Sequence, residues 1–558
     1  MLKLLSSLLV TLMIMTFANA ESPQTAETPE ADTPDGEDTP QERQYRQGTP
    51  PGPLRPLDFT PFESALNALT AERIAALDEL VIEATVETLQ GAFDNGTLTV
   101  EELVTYYMHR IRRYDVDGFR SISELNPDAL TIARELDARR ANGQADGALF
   151  GIPVIVKDNI ATGDAMHNTA GAAAMREAHS PRDAFIVARL RTSGAVILAK
   201  ANLSEWAYFM FENGPSGYST LGGQVVNAYD PAVDPFGSST GSAVGTAANL
   251  ATLSIGTETA GSVIAPAART STVGIHPSIG LLSRDLIIPL TDQLDTAGPI
   301  TRTVSDAALM LTIMMGVDEN DPMTQQTAPL ADADFTQFLD PNALVGRRVG
   351  IVVRDPEKSF EDAIAEIHMT DAVNALRLAG AEVLIVRTAG EEALDITYEQ
   401  FASLLHNGMR FGMAAYLAQT ESAGITSMAD VATFNNNDPD QYAFYGQEHI
   451  VAAAESSLTE AEYLALAETM RGNARRYIRD MYADNDIDVL VTVDNSFSFV
   501  YAVAGYPAIT VPAGFVETRP IGLTFVGGDY LTDATIIGYA YAFEVNSLSR
   551  RPPASASE

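Results

Sequence analysis

The 558-residue chain has no cysteine, only seven histidines, and only four lysines among its 35 basic residues. The missing thiol excludes cysteine nucleophiles, disulfides and thiolate-ligated metals. The histidines are scattered and form no His-x-x-x-His pair, which argues against a catalytic zinc. We therefore expect neither a metal nor another cofactor.

Positive charge is scarce as a whole, because the formal net charge is −39 at pH 7. Binding to nucleic-acid phosphates requires a basic surface, so we expect no nucleic-acid partner. Hydrophobic residues make up 46% of the chain, which indicates a globular protein with a large core.

The N-terminus has the pattern of a cleavable secretory signal. Residues 1–20 combine Lys3, an apolar stretch and Ala18-Asn19-Ala20 ahead of Glu21. This pattern predicts export to the periplasm or the extracellular medium, with no membrane span once the signal is removed. Residues 21–56 carry eight prolines and many acidic residues, which predicts a disordered tether.

From residue 57 to 555 the chain alternates predicted strands and helices. An apolar strand at 149–156, a helix at 184–192 and a strand at 195–198 form a βαβ pattern, and the alternation repeats at 348–353, 360–379 and 381–386. We predict one large α/β domain, with a mixed, mainly parallel twisted β-sheet covered by helices on both faces. Residues 390–480, rich in Tyr, Phe, Met, Asn and Gln, predict a mostly helical, variable elaboration on the substrate side.

Lys157 is the first candidate for chemistry, because it ends the apolar run Gly-Ile-Pro-Val-Ile-Val in a chain that otherwise uses arginine. Arginine stays protonated in proteins, whereas a buried lysine loses the stabilisation of its charged form and can be neutral near pH 7. Lys157 is therefore a candidate general base.

Two serine-rich segments offer a nucleophile. Gly-Ser-Ser-Thr-Gly at 237–241 matches G-x-S-x-G, which in an α/β-hydrolase would make Ser239 the nucleophile and His276 the base. That motif needs a buried strand before the turn, but 227–236 contains two prolines and two aspartates. The other candidate, Ser262, ends Gly-Thr-Glu-Thr-Ala-Gly-Ser, a loop whose N–H groups could form an oxyanion hole.

Taken together, these segments resemble the amidase signature family, and its peptide amidases in particular. The resemblance extends to Lys-Ala-Asn-Leu-Ser-Glu-Trp at 200–206, Asp-Thr-Ala-Gly-Pro at 295–299 and Ala-Gly-Tyr-Pro-Ala-Ile-Thr-Val-Pro at 504–512. It covers roughly residues 98–553, with the motifs in the order and at the spacing of the family.

The resemblance implies a role for each matching residue. Ser262 corresponds to the nucleophile, Lys157 to the base, and Ser238 to a bridging serine that follows a cis peptide bond. The implied oxyanion hole consists of the backbone N–H groups of Thr259, Ala260, Gly261 and Ser262. The residues expected to support this centre are Asp158, Asn159 and Ser239.

Three positions depart from the commonest family pattern. Thr240 and Ala260 stand where glycine is usual, and His276 stands where lysine often precedes the proline. If the backbone at Ala260 requires a positive φ, alanine there is strained. Whether the oxyanion loop is strained therefore depends on the φ angle at Ala260.

The resulting hypothesis is an exported serine amidase that hydrolyses the C–N bond of carboxamides, including C-terminal peptide amides, through a Ser-Ser-Lys relay and an acyl-enzyme. Its partner would be a small-molecule or peptide amide substrate. One alternative is a catalytically inactive binding protein with the amidase fold, against which the lysine and both serines argue. Another is the amidotransferase subunit that acts on mischarged transfer RNA, which export and acidity disfavour.

Overall fold

The protein is built around strands whose bounds are β1 (Ile122–Leu125), β2 (Pro153–Lys157), β3 (Val196–Ala201), β4 (Tyr218–Ser219), β5 (Gly223–Gln224), β6 (Leu253–Glu258), β7 (Val273–His276), β8 (Thr296–Thr301), β9 (Arg348–Val352), β10 (Glu382–Val386), β11 (Val489–Val493), β12 (Ala508–Val516) and β13 (Arg519–Val526). The structure, a computed structural model, describes residues 55–212, 214–353, 355, 357–386, 393–422 and 424–556. The predicted signal and nearly all of the predicted tether lie outside the described residues.

Eleven of these strands form one mixed sheet in the order β1-β3-β2-β6-β8-β7-β12-β13-β11-β9-β10, and β4 and β5 form a separate pair. The parallel pairs are β3 with β2, β2 with β6, β11 with β9, and β9 with β10. The other six neighbouring pairs of the described sheet are antiparallel and occupy its centre and the β1 edge. One reason for the antiparallel centre is that β12 and β13 are joined by two residues, too few for a parallel crossover.

Helices surround this sheet. Their bounds are Glu63–Ala68, Ala71–Val81, Val86–Asp94, Val100–Arg110, Ala129–Ala141, Phe185–Thr192, Glu205–Tyr208, Thr240–Ala247, Ile264–Arg269, Val304–Met314, Phe360–Glu366, Thr370–Leu378, Tyr398–Leu417, Met428–Asn435, Pro439–Tyr442, Glu448–Glu455, Glu460–Asn485, Ser498–Ala504 and Asp533–Ser547. The short segment Glu205–Tyr208 has a positive φ at Trp206 and Ala207. Shorter 3₁₀ segments lie at Thr60–Phe62, Ala173–Met175, Pro322–Leu330, Phe335–Phe338 and Ala554–Ala556, and a π-helix at Ile111–Phe119. Among the described helices, none is both long and apolar enough to cross a membrane.

The α/β class and the mixed sheet are confirmed, and β2, Phe185–Thr192 and β3 form the predicted βαβ unit. The capping box of Thr99 and Glu102 begins the helix Val100–Arg110. The helix predicted at 360–379 is instead two helices, because His368 between them has a φ of 56° that no right-handed helix accommodates. The elaboration predicted at 390–480 is mostly helical where it is described.

The sheet explains why distant parts of the sequence meet at one place. In the parallel pair of β2 and β6, Val154 is opposite Leu253 and Val156 is opposite Ile255. The carboxyl ends of parallel strands lie at the same edge of a sheet. The end of β2, with Lys157, therefore lies beside the end of β6 and the loop that leads to Ser262.

Candidate active site

The amine of Lys157 is the centre of a buried cluster of hydroxyl groups. Its Nζ lies 2.8 Å from Ser238 Oγ, 3.0 Å from Ser239 Oγ, 2.8 Å from Thr257 Oγ1 and 3.2 Å from Thr257 O. The side chain is fully buried. Burial lowers the pKa of Lys157 well below 10.5, and the charges of Glu258 and Asp295 only partly oppose it.

Lys200 provides a comparison, since it is also fully buried and burial also lowers its pKa. Its Nζ donates to the carbonyl oxygen of Ile160 and to Asn168 Oδ1, both at 2.6 Å. These acceptors carry no proton that the lysine could take up. Of the two buried lysines, Lys157 is the one in contact with hydroxyl groups.

Ser238 and Ser239 are adjacent and both buried, but their environments differ. Ser238 follows a cis peptide bond with Gly237, and its Oγ contacts Lys157. Ser239 Oγ donates to Thr257 O at 3.0 Å and accepts the Thr257 N–H at 3.1 Å. Because its proton is engaged by a backbone carbonyl and its side chain is enclosed, Ser239 is a support for Thr257 rather than an exposed nucleophile.

Ser262 is brought next to these serines by the backbone, since its carbonyl oxygen accepts the N–H of Ser239 at 3.1 Å. Its side chain is partly exposed, unlike those of Ser238 and Ser239. Within the described part of the chain, Ser262 Oγ has no hydrogen-bond partner. Ser262 is therefore the accessible hydroxyl of the group.

The loop before Ser262 presents backbone donors. Among the described residues, the N–H groups of Ala260, Gly261 and Ser262 form no hydrogen bond, whereas the next two, of Val263 and Ile264, donate to Glu258 Oε2 at 2.7 and 2.9 Å. Three successive unpaired N–H groups can bind a negatively charged oxygen.

Gly261, with a φ of 96°, takes the left-handed conformation in this loop, and Ala260 is not among the residues with positive φ. The strain considered for Ala260 is therefore absent. A Cβ on Gly261 would also lie 2.9 Å from Ser498 Oγ, so the position requires glycine in space as well as in conformation.

Glu258 fixes the start of this loop from the end of β6. Its carboxylate accepts the Tyr501 hydroxyl at 2.9 Å, and His276 Nδ1 lies 3.1 Å from Oε1. Burial opposes ionisation, but His276 and the two backbone donors outweigh it, so the pKa of Glu258 lies below its usual range. In the described structure, His276 is thus next to Glu258 and makes no hydrogen bond to Ser239, contrary to the α/β-hydrolase alternative.

The supporting residues predicted from sequence divide in two. Asn159 Nδ2 donates to Thr257 Oγ1 at 3.0 Å, so Asn159 and Ser239 both contact the lysine cluster through Thr257. Asp158 faces away, because its carboxylate accepts the N–H and the hydroxyl of Thr169 at 3.1 and 2.5 Å.

Sequence reasoning missed Thr257 and the part played by Asp295. Thr257 contacts Lys157, Ser239 and Asn159. Asp295 accepts the Thr259 hydroxyl at 2.6 Å, and burial raises its pKa to about 6. The available signal was the Thr-Glu-Thr run shortly before Ser262. Among the described residues, no three His, Asp or Glu side chains are grouped so as to hold a metal ion.

Comparison with known proteins identifies the family of the chain. A family model described as Amidase matches residues 102–537. A probable amidase of Arabidopsis thaliana is 37% identical over 84% of this chain and 91% of its own length. A glutamyl-tRNA(Gln) amidotransferase component from Alkaliphilus metalliredigens is 30% identical over 83% of this chain and 96% of its own length.

Among solved structures, the native peptide amidase of Stenotrophomonas maltophilia superposes with a TM-score of 0.78 at 38% identity, over 84% of this chain and 98% of that one. An amidase family protein of Bacillus anthracis superposes with a TM-score of 0.80 at 34% identity, over 95% and 100%. The chain belongs to the amidase family and is a hydrolase that acts on amide carbon–nitrogen bonds.

Proposed function

We propose that this protein is a serine amidase in which Ser262 is the nucleophile, Lys157 the base and Ser238 the group that carries the proton between them. The supporting observation is the buried amine of Lys157, 2.8 Å from Ser238 Oγ and without a carboxylate within ion-pair distance in the described structure. A lysine in this environment is neutral at a pH where an exposed one is charged, so it can accept a proton.

The reaction follows from these positions. Lys157 accepts the Ser238 proton as Ser238 accepts the Ser262 proton, and Ser262 Oγ forms a bond to the amide carbon. The carbonyl electrons move to an oxyanion held by the N–H groups of the Thr259–Ser262 loop. When the oxyanion collapses, the C–N bond breaks, and the proton returns through Ser238 to the leaving nitrogen.

Water then completes the cycle. It gives its proton to the same relay, attacks the acyl carbon and releases a carboxylic acid, while Ser262 recovers its proton. Ser262 Oγ has no hydrogen bond among the described residues, so the proposal requires it to turn toward Ser238 when substrate binds. Catalytic hydrogen bonds of this kind often form only in the substrate complex.

The proposed substrate is a primary carboxamide at the end of a peptide or a peptide-like acyl group. It is supported by the likeness to a peptide amidase over most of both chains. The relatives also include amidotransferases that act on transfer RNA, but a net charge of −39 disfavours RNA binding.

Covalent labelling tests the nucleophile. Treatment with a fluorophosphonate should place one adduct on the peptide that contains Gly261, Ser262 and Val263, as located by mass spectrometry. Ser262→Ala should abolish labelling, whereas Ser239→Ala, the matched control, should retain it. An adduct on Ser239 would overturn the mechanism, and a folded protein that is neither labelled nor active would support the binding-protein alternative.

The base is tested by Lys157→Arg. Arginine keeps its proton, so kcat should fall by about a hundred- to ten-thousandfold, the usual contribution of a general base. Lys358→Arg, the same exchange at an exposed lysine paired with Glu366, is the control and should leave kcat unchanged. Substantial turnover by a folded Lys157→Arg protein would refute the assignment.

The pH profile provides a further test, because kcat/KM should rise with pH as Lys157 loses its proton. The charge of Asp295 raises the pKa of Lys157, so Asp295→Asn should lower that pKa and move the acid limb of kcat/KM to lower pH. Asp292→Asn, an exposed carboxylate nearby, is the control. A limb that stays in place or moves to higher pH would show that Lys157 does not set it.

We also propose that the protein is exported, on the pattern of residues 1–20. N-terminal sequencing of protein recovered outside the cytoplasm should begin at or near Glu21. Recovery of an intact Met1 in the cytoplasm alone would refute export and remove one argument against the amidotransferase alternative.

A further inference from the structure

A narrow cleft lies beside the lysine cluster, since Asn159 in its lining contacts Thr257. Ala170, Ile288, Pro289 and Leu290 are among its apolar walls. The walls of the cleft are too close together to admit a water molecule, so the lining side chains must move apart before a ligand can bind. Asn159 and Trp206 supply the polar groups of its lining.

Both of these residues have a buried polar atom that makes no hydrogen bond within the described structure. Asn159 uses one end of its carboxamide on Thr257 Oγ1, and the other end, assigned as Oδ1, is unpaired. The indole Nε1 of Trp206 is unpaired as well, in a side chain that is 1% exposed. Burying such groups without a partner is costly, and these two lie together in the lining of one cleft, which points to a ligand that completes both.

Hydrogen bonds connect both walls of the cleft to residues around Lys157 and Ser262. On one side, Asn159 reaches Lys157 through the hydroxyl of Thr257. On the other side, the N–H of Leu290 donates to Asp295 at 2.7 Å, and the same carboxylate accepts the hydroxyl of Thr259 in the oxyanion loop. Hydrogen bonds therefore link the lining of the cleft both to Lys157 and to the loop that contains Ser262.

The unpaired atoms restrict what can bind. An indole N–H is a donor only and requires an acceptor, such as a carbonyl oxygen. The free end of a carboxamide can accept from an N–H, or donate to an oxygen if the amide is turned over. A secondary amide offers a carbonyl and an N–H together, so it matches the pair in either orientation of Asn159, whereas a hydrocarbon chain matches neither atom.

We propose that Trp206 and Asn159 determine specificity by binding a secondary amide in the acyl part of the substrate. Trp206 Nε1 donates to the amide carbonyl, and the carboxamide of Asn159 pairs with the rest of that group. The inference rests on the proposed function, in which a primary amide loses only ammonia. Every other substrate atom then belongs to the acyl side, so the group that enters the cleft is part of that side.

Trp206→Phe tests the assignment, because it removes the N–H and keeps an aromatic ring. The two substrates are N-acetylleucinamide and its all-carbon analogue, in which the CO–NH of the acetamide is replaced by CH₂–CH₂. The variant should lower the ratio of kcat/KM for the first over the second about tenfold, as expected for the loss of one buried hydrogen bond. A ratio that stays constant, with equal losses on both substrates, would mean that Trp206 is only structural and would overturn the proposal.

The matched control is Thr510→Val on β12. Like Trp206→Phe, it removes a buried polar group that has no hydrogen-bond partner in the described structure, in this case a hydroxyl. Thr510 does not line the cleft. This exchange should leave the ratio of the two substrates unchanged. A change as large as that in Trp206→Phe would show that the effect is general and would count against the cleft.

Trp206 is the only tryptophan of the chain, so its fluorescence reports on the cleft directly. In Ser262→Ala protein, which cannot be acylated, N-acetylleucinamide should change the emission with saturation, at a Kd about tenfold lower than that of the all-carbon analogue, the same loss of one buried hydrogen bond. Equal affinities for the two compounds, or no change in the emission with either, would refute the assignment of the cleft as the binding site of the secondary amide.

This titration separates the two proposals. Saturable and selective binding without turnover by the native protein would mean that the cleft is real and that the amidase function is wrong. Turnover of both amides with no selectivity in either assay would mean that the amidase function is right and the cleft assignment wrong.

Discussion

The burial of one amine among hydroxyl groups is the constraint on which the site depends. A charged ammonium enclosed without a carboxylate partner costs several kcal/mol, and a neutral amine avoids most of that cost. Lys157 is enclosed in this way, with Ser238, Ser239 and Thr257 as its contacts. The same burial that would destabilise a charged lysine therefore lowers the pKa of Lys157, which is the property that the proposed base requires.

The end of β6 maintains this environment. Thr257 contacts the lysine with both its hydroxyl and its carbonyl, and the following residue, Glu258, accepts the backbone N–H groups just beyond Ser262. Because Glu258 binds the N–H groups of Val263 and Ile264, those of Ala260, Gly261 and Ser262 stay unpaired among the described residues. The end of β6 thus contacts the amine of Lys157 and determines which N–H groups of the following loop stay unpaired.

The parts of this site that could be predicted from the sequence are those associated with an unusual composition or a short motif. Lysine scarcity drew attention to Lys157, and the Gly-Thr-Glu-Thr-Ala-Gly-Ser segment to Ser262. Ser238 was singled out by the family resemblance, whereas the G-x-S-x-G pattern alone pointed to Ser239. The contacts of Thr257 with Lys157 could not be predicted, because they depend on the pairing of strands about a hundred residues apart. The central antiparallel pairs were missed for a similar reason, since strand periodicity does not reveal which neighbour a strand will have.

The two adjacent serines show how hydrogen bonding separates roles that sequence alone leaves equal. The Ser239 hydroxyl donates a hydrogen bond to the carbonyl of Thr257 and accepts one from the N–H of the same residue. A proton transfer through Ser239 would therefore break two hydrogen bonds at the end of β6. Ser238 Oγ makes its one hydrogen bond within the described residues to Lys157, which leaves it free to exchange a proton on its other side. A relay requires a hydroxyl that can both give and receive a proton without disturbing its surroundings. Ser238 meets that requirement and Ser239 does not, although both lie within 3.0 Å of the same amine.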